Sequence, residues 1–282
     1  MIGSPLALDG LHLVTLAPNL PGPLAAVRLR DLGMRVTKVE SPAGDPFETY
    51  CAPWYREMHD GIEVVKLDLK SAEGRVAMQS LLTTADLLLT STRPATLERL
   101  GLGWDALHKT HPRLCHVAII GEAPPRDGAP GHDLTYQAVA GLVSPPQMPA
   151  TLIADIGGAL EAVIAALALL TRRERHGEAG CTLVALADAA HYFAQPVRWG
   201  LTGPRAHMLG GGFTAYDLYQ ASDGWIAVAA LEPHFLKKLL SHFPGEGSER
   251  ERLVSGFRAR SAAEWHAWAE AEDLPIVAVK ES

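Results

Sequence analysis

The stretch LHLVTLAPNLPGPLAAVRLRDLGMRVTKVE, residues 11–40, decides the fold. Leu11–Leu16 is apolar and β-rich and reads as a strand. Pro21-Gly22-Pro23 reads as a turn, and Leu24–Leu32 carries helix formers that stop at Gly33. Val36–Glu40 is a second strand. Strand, helix and strand in so short a span make a parallel pair with a right-handed crossover.

The same alternation continues outward. Val64–Leu69 is a short extended piece, Ala72–Thr83 a helix, Ala85–Leu89 a strand, Ala95–Leu100 a short helix and Leu114–Ile120 another strand. The expected class is therefore α/β, a Rossmann-like parallel sheet with flanking helices. Gly121–Pro130 is a loop, Leu134–Leu142 a helix, and three prolines break Val143–Ala150. A long apolar helix starts at Asp155 and stops at Gly177 after a basic last turn. Cys181–Leu186 is a strand, with a helix from Asp188. Gly200–Gly212 holds five glycines and a proline and reads as a linker.

That linker predicts a large domain over residues 1–200 and a small α+β domain over 201–282. In the second, the strands Phe213–Tyr219 and Trp225–Ala230 flank an Asp223-Gly224 hairpin turn. Helices Pro233–His242 and Ala262–Ala271 follow, and Pro275–Val279 closes the chain as a strand.

Composition narrows the function. Of 282 residues, 48% are hydrophobic and 20% charged, which excludes wholesale disorder. Lys and Arg number 25 against 32 Asp and Glu, and the net charge of −7 argues against a nucleic-acid partner. Three scattered cysteines form no CxxC pair, so neither a disulfide framework nor a structural zinc site is expected. Met1-Ile2-Gly3-Ser4-Pro5 shows no secretory signal, and a cytoplasmic location is expected. The apolar run Ala154–Leu170 contains Asp155 and Glu161 and is short for a membrane span, so a buried core helix is expected.

No P-loop, HExxH or GxSxG motif is present, and no GxGxxG follows the first strand. Four clusters remain. His132, in Gly131-His132-Asp133-Leu134-Thr135-Tyr136, opens a helix whose dipole favours the neutral, proton-accepting imidazole. With 12 histidines in the chain, an ordinary surface loop residue is the plainer alternative. Asp133 could cap that helix. Asp155 reads as an N-cap, yet Gly157 and Gly158 are poor helix formers that make sense if backbone amides approach a ligand or stabilise an oxyanion. Glu232, before Pro233 at a strand-to-helix junction, is either an N-cap acid or a partner for an imidazole. Arg93, after a strand, could meet a phosphate or simply be solvated.

In this order the segments resemble the class III CoA-transferase superfamily (CaiB/BaiF-like), and within it the α-methylacyl-CoA racemases. The similarity runs from Gly10 to Val279. It includes Pro21-Gly22-Pro23 with Asp31-Leu32-Gly33, Lys38-Val39-Glu40, Leu67-Asp68-Leu69-Lys70, Arg93-Pro94, Gly131 to Tyr136, Ala154-Asp155 and Glu232-Pro233-His234-Phe235. Departures are Ser41 at a position matching a racemase Arg, and Met58–Glu63 in place of a basic segment.

The resemblance implies a CoA-binding large domain, a small domain without the family's usual C-terminal return segment, and an interlocked homodimer. It implies a racemase or epimerase that inverts the α-carbon of 2-methyl-branched acyl-CoA thioesters by two-base proton transfer. In that reading His132 and Asp155 are the bases, Glu232 orients His132, and Arg93, Tyr136, Gly157 and Gly158 contact the CoA thioester. Coenzyme A enters as part of the substrate; no metal or redox cofactor is expected, and no membrane partner. The alternatives are a CoA-transferase with Asp155 as nucleophile and a non-catalytic acyl-CoA-binding relative.

Overall fold

The computed structural model describes residues 6–203 and 208–280. Part of the glycine-rich linker, residues 204–207, lies outside the described residues. Two compact units divide the chain, Met1–Ala194 and Gln195–Ser282.

The first unit opens with β1 (His12–Thr15), α1 (Pro21–Asp31) and β2 (Arg35–Glu40). Next come α2 (Pro46–Tyr50), α3 (Ala52–His59), β3 (Glu63–Lys66), α4 (Ala72–Leu82) and β4 (Leu87–Thr90). These lead to α5 (Pro94–Arg99), α6 (Trp104–Thr110), β5 (Cys115–Ile120) and α7 (Asp133–Ala140). The unit closes with α8 (Ile153–His176), β6 (Cys181–Ala185) and α9 (Leu186–Phe193).

The six strands form one sheet in the order β3-β2-β1-β4-β5-β6, all pairs parallel. The sequence order reverses between β1 and β4, which opens a crevice at the strands' carboxyl ends. Both faces are covered. Leu13, Leu87 and Leu89 point to the side packed by α1 and α8, whereas Val14 and Leu88 point to Met78, Leu82 and Leu107 of α4 and α6. Near-continuous apolar strands are what a doubly covered parallel sheet requires.

Three local expectations are corrected. Pro21-Gly22-Pro23 is the first turn of α1, where a proline's missing N–H costs no hydrogen bond. Gly22 is there because a Cβ would fall 2.2 Å from that of Ala17, so only glycine lets α1 start so close to the end of β1. Between Glu40 and Val64, where the sequence reading places no element, lie two short helices, α2 and α3, the first capped by Asp45, whose carboxylate accepts the Phe47 N–H at 2.9 Å. The last helix of the unit's core, α8, begins at Ile153 and not at Asp155. It is long and apolar enough to cross a membrane, and half of its apolar window is buried in the protein. It packs on α1, α9 and β5, as a core helix does.

The second unit begins with α10 (Gln195–Arg198) and pairs β7 (Tyr216–Gln220) antiparallel to β8 (Trp225–Ala229). After α11 (Pro233–His242), α12 (Glu249–Phe257) and α13 (Ala262–Ala271), the strand β9 (Ile276–Ala278) joins the outer side of β8. Its core is aromatic: Tyr219, Phe243, Phe257 and Trp265 are buried together. Helix α12 was not expected from the sequence.

Candidate active site

A cavity of about 540 Å³ lies at the carboxyl end of the first unit's sheet, beside the β1/β4 reversal. Its walls come from the loop after β1, the loop after β4, the end of β5 and the amino ends of α7 and α8. Arg93, His132, Tyr136 and Asp155 all line it. Four of the seven residues singled out from the sequence therefore meet in one place.

His132 is the residue before α7, held in extended backbone (φ −142°). Its N–H donates to Thr135 Oγ1 at 3.0 Å, and that hydroxyl donates back to the His132 carbonyl at 2.8 Å. This closed loop fixes the backbone that carries the imidazole.

Asp155 sits in the first turn of α8, not at its cap. The group that satisfies the helix terminus is Asp133: its Oδ2 accepts the Asp155 N–H at 3.0 Å. Asp133 was expected to cap its own helix and instead reaches across to α8. Gln137 holds it there, donating from Nε2 to Asp133 Oδ1 and to the Thr151 carbonyl, the latter at 2.9 Å. Asp133 is only 5% exposed. Burial pushes the Asp155 carboxyl from 3.8 up to about 6, and the Asp133 charge adds to the rise while His132 opposes it. An acid near 6 has almost the proton affinity of an ordinary imidazole, about 6.5.

Gly157 and Gly158 do not face the cavity. A Cβ on Gly157 would lie 2.5 Å from the Phe193 ring, and one on Gly158 2.3 Å from Leu186 Cδ2. Both positions are small so that α9 can lie against α8. The expected amide contact to a ligand is replaced by helix packing. Arg93 precedes α5 and is exposed; its guanidinium has no ion-pair or hydrogen-bond partner among the described residues. Glu232 belongs to the second unit, where it precedes α11 and makes no side-chain cap.

Asn19 was missed. It lines the cavity with φ +64°, a left-handed conformation that few residues other than glycine adopt. The Asp45 carboxylate accepts its N–H at 3.0 Å and holds it there. The available signal was the residue type, since asparagine tolerates that region better than most.

A second cavity, also about 540 Å³, adjoins the first, with Pro18, Pro46 and Thr92 lining both. Its wall holds a buried ion cluster. Lys38, 2% exposed, has its ammonium 3.1 Å from Glu40 and paired with Asp45, and it donates to His59 Nε2 at 2.8 Å. His59 Nδ1 lies 2.6 Å from the Tyr55 carbonyl, so the Nε2 that faces the ammonium is the acceptor of a neutral ring. Burial, with Lys38 adding to it, holds the His59 imidazole below its usual range. The Tyr55 hydroxyl donates to Glu40 at 2.7 Å. Every charge in the cluster is paired, as groups taken out of water must be.

The chain matches the model of CoA-transferase family III over residues 8–281. A probable fatty acyl-CoA transferase of Mycobacterium tuberculosis is 32% identical, over 82% of this chain and 67% of that protein. Human α-methylacyl-CoA racemase is 28% identical, over 92% of this chain and 74% of that protein. Among solved structures, that of a hypothetical protein of M. tuberculosis superposes with a TM-score of 0.84 at 28% identity, covering 99% of this chain and 86% of the other.

Proposed function

The chain belongs to CoA-transferase family III, and from that membership we propose that it inverts the α-carbon of 2-methyl-branched acyl-CoA thioesters. The observation that carries this reading is a carboxyl held near 6 in the same cavity as an imidazole. Inversion needs two bases of similar proton affinity, one protonated and one free, on opposite faces of the carbon. For one enantiomer Asp155 removes the α-proton and the protonated His132 returns one from the other side; for the other enantiomer the roles exchange. The thioester acidifies the α C–H by taking the electron pair onto its carbonyl oxygen, so the substrate itself supplies the activation. Coenzyme A is carried in by the substrate.

The two adjoining cavities suit an elongated ligand, with the reacting acyl end beside His132 and Asp155. Arg93, a cation on the rim with no partner among the described residues, is the group for a phosphate of the carrier. In this proposal the chain works as a homodimer, and Glu232 of a second copy is the acid that orients His132.

A second reading is favoured by the name of the mycobacterial relative, a probable fatty acyl-CoA transferase. In that reaction Asp155 would attack the thioester as a carboxylate. A carboxyl held near 6 is still mostly ionised at neutral pH and more basic than an ordinary aspartate, so the shift serves either reaction. Incubation in D₂O with a 2-methylacyl-CoA and a free acid decides between them. Deuterium at the α-carbon supports inversion, and CoA transfer to the acid without it supports the alternative.

A further inference from the structure

Helices α2 and α3 span five and eight residues, too few to be stable in water by their own hydrogen bonds. Both ends of this excursion return to one group. Asp45, which caps α2, pairs with the Lys38 ammonium of β2, and His59, the last residue of α3, accepts from the same ammonium at 2.8 Å. One buried cation thus closes residues 45–59 onto the sheet. Between those ends, Phe47 of α2 packs edge-on against Trp54 of α3, which couples the two helices.

What this loop carries is the partition between the two cavities. Pro46 lines both, Phe47 and Tyr50 line the one that holds His132 and Asp155, and Thr49 lines the other. The Asp45 carboxylate also accepts the Asn19 N–H at 3.0 Å, so the left-handed turn after β1 on the same wall depends on the same acid. His59 can serve the loop in one protonation state only. Its Nδ1 donates to the Tyr55 carbonyl at 2.6 Å, which leaves the Nε2 lone pair for the Lys38 ammonium. A second proton would set an N–H against that ammonium. None of the other groups around the ring offers the new N–H an acceptor in its place. Glu40 of β2 and Asp45 are committed to Lys38. The Tyr55 ring stacks on the imidazole with centroids 4.0 Å apart and donates its hydroxyl to Glu40, and Arg30 of α1 donates to the neighbouring Asp60 carbonyl.

We propose that His59 is a positioning residue for the ligand of the two cavities: as the neutral acceptor of Lys38 it holds α2, α3 and the partition in place, and a second proton on its ring releases them. This rests on the placement of an elongated thioester across both cavities. Burial, with the Lys38 charge adding to it, keeps the imidazole below its ordinary 6.5, so the contact is intact at neutral pH. The unfolded chain takes up this proton at a higher pH than the folded one does. The stabilisation is therefore complete above about 6.5 and is lost as pH falls through the lowered folded value.

The test measures the dissociation constant of free coenzyme A by calorimetry, from about pH 7.5 to about pH 5, in wild type, His59→Gln and His59→Ala. Glutamine accepts from Lys38 without titrating, and alanine does not accept at all. The phosphate of coenzyme A titrates in this range for every variant alike, so the readout is the ratio of wild type to His59→Gln. That ratio is expected to be near one at the upper pH and to reach about ten-fold weaker binding by wild type at the lower, since linkage gives ten-fold per pH unit below the titration point. At the upper pH His59→Ala is expected to bind about ten-fold more weakly than wild type, the result of leaving a buried donor short of a partner, and His59→Gln to recover most of that loss. Melting temperatures confirm that each variant is folded; a merely structural role would lower them without moving the ratio. The same pH dependence in wild type and His59→Gln, or undiminished binding by His59→Ala, overturns this inference alone. Failure of wild type to bind coenzyme A overturns it together with the placement on which it rests.

Discussion

At the scale of single residues, the site depends on one carboxylate acting on another. Asp133 holds the terminus of α8 by accepting the Asp155 N–H, and its charge helps raise the Asp155 carboxyl to about 6. In Asp133→Asn the charge goes, and the one remaining oxygen can still accept the Asp155 N–H while the amide nitrogen takes the place of the oxygen that accepts from Gln137. The midpoint of the pH–rate profile that reports Asp155 is then expected to move down toward the ordinary carboxylate range, only partly, because burial is the larger cause. An unmoved midpoint would show that Asp155 does not feel Asp133. The same rise has a cost in stability. A carboxyl raised from 3.8 to about 6 in the folded state is stabilising only while protonated, and that contribution is lost as pH rises through about 6. Asp155→Asn is therefore expected to stabilise the protein at pH 8 by up to about 3 kcal/mol and to change little at pH 4, measured as melting temperature.

At the scale of elements, the helix that carries Asp155 was legible as a helix, but its two glycines were misread. A sequence shows that a side chain is missing; it does not show what fills the space. Here Phe193 and Leu186 of α9, well downstream of Gly157 and Gly158, fill it. Gly157→Ala places a Cβ against the Phe193 ring and is expected to destabilise by about 1–3 kcal/mol in spite of alanine's better helix propensity. A raised melting temperature would show that the ring moves aside freely. Other misses have their own causes. Helix α12 carried a readable signal, Ser248 and Glu251 in a capping box, and was overlooked because its apolar residues are few. Helices α2 and α3 are short and start at prolines, in a stretch whose ordering comes from the buried Lys38 cluster. By contrast β1, β2, β4 and β5 were plain, because a sheet covered on both faces needs apolar runs that sequence displays directly.

At the scale of the whole molecule, the strand order and its reversal beside β1 set the cavity at the sheet's carboxyl edge. His132, Tyr136 and Asp155 could be named from short motifs, since each lies at a helix's amino end where loops deliver functional groups. Asn19 and the role of Asp133 could not, because both depend on partners that are distant in sequence, Asp45 and the α8 terminus. The central claim is that Asp155 and His132 act on one carbon from opposite sides. It is tested most directly by α-proton exchange in D₂O with a single enantiomer of 2-methyldecanoyl-CoA, comparing wild type with Asp155→Asn and His132→Gln. Wild type is expected to incorporate deuterium with inversion, and each variant to fall by about 10²-fold or more while remaining folded. Undiminished exchange in either variant, or CoA transfer without exchange in wild type, would contradict it.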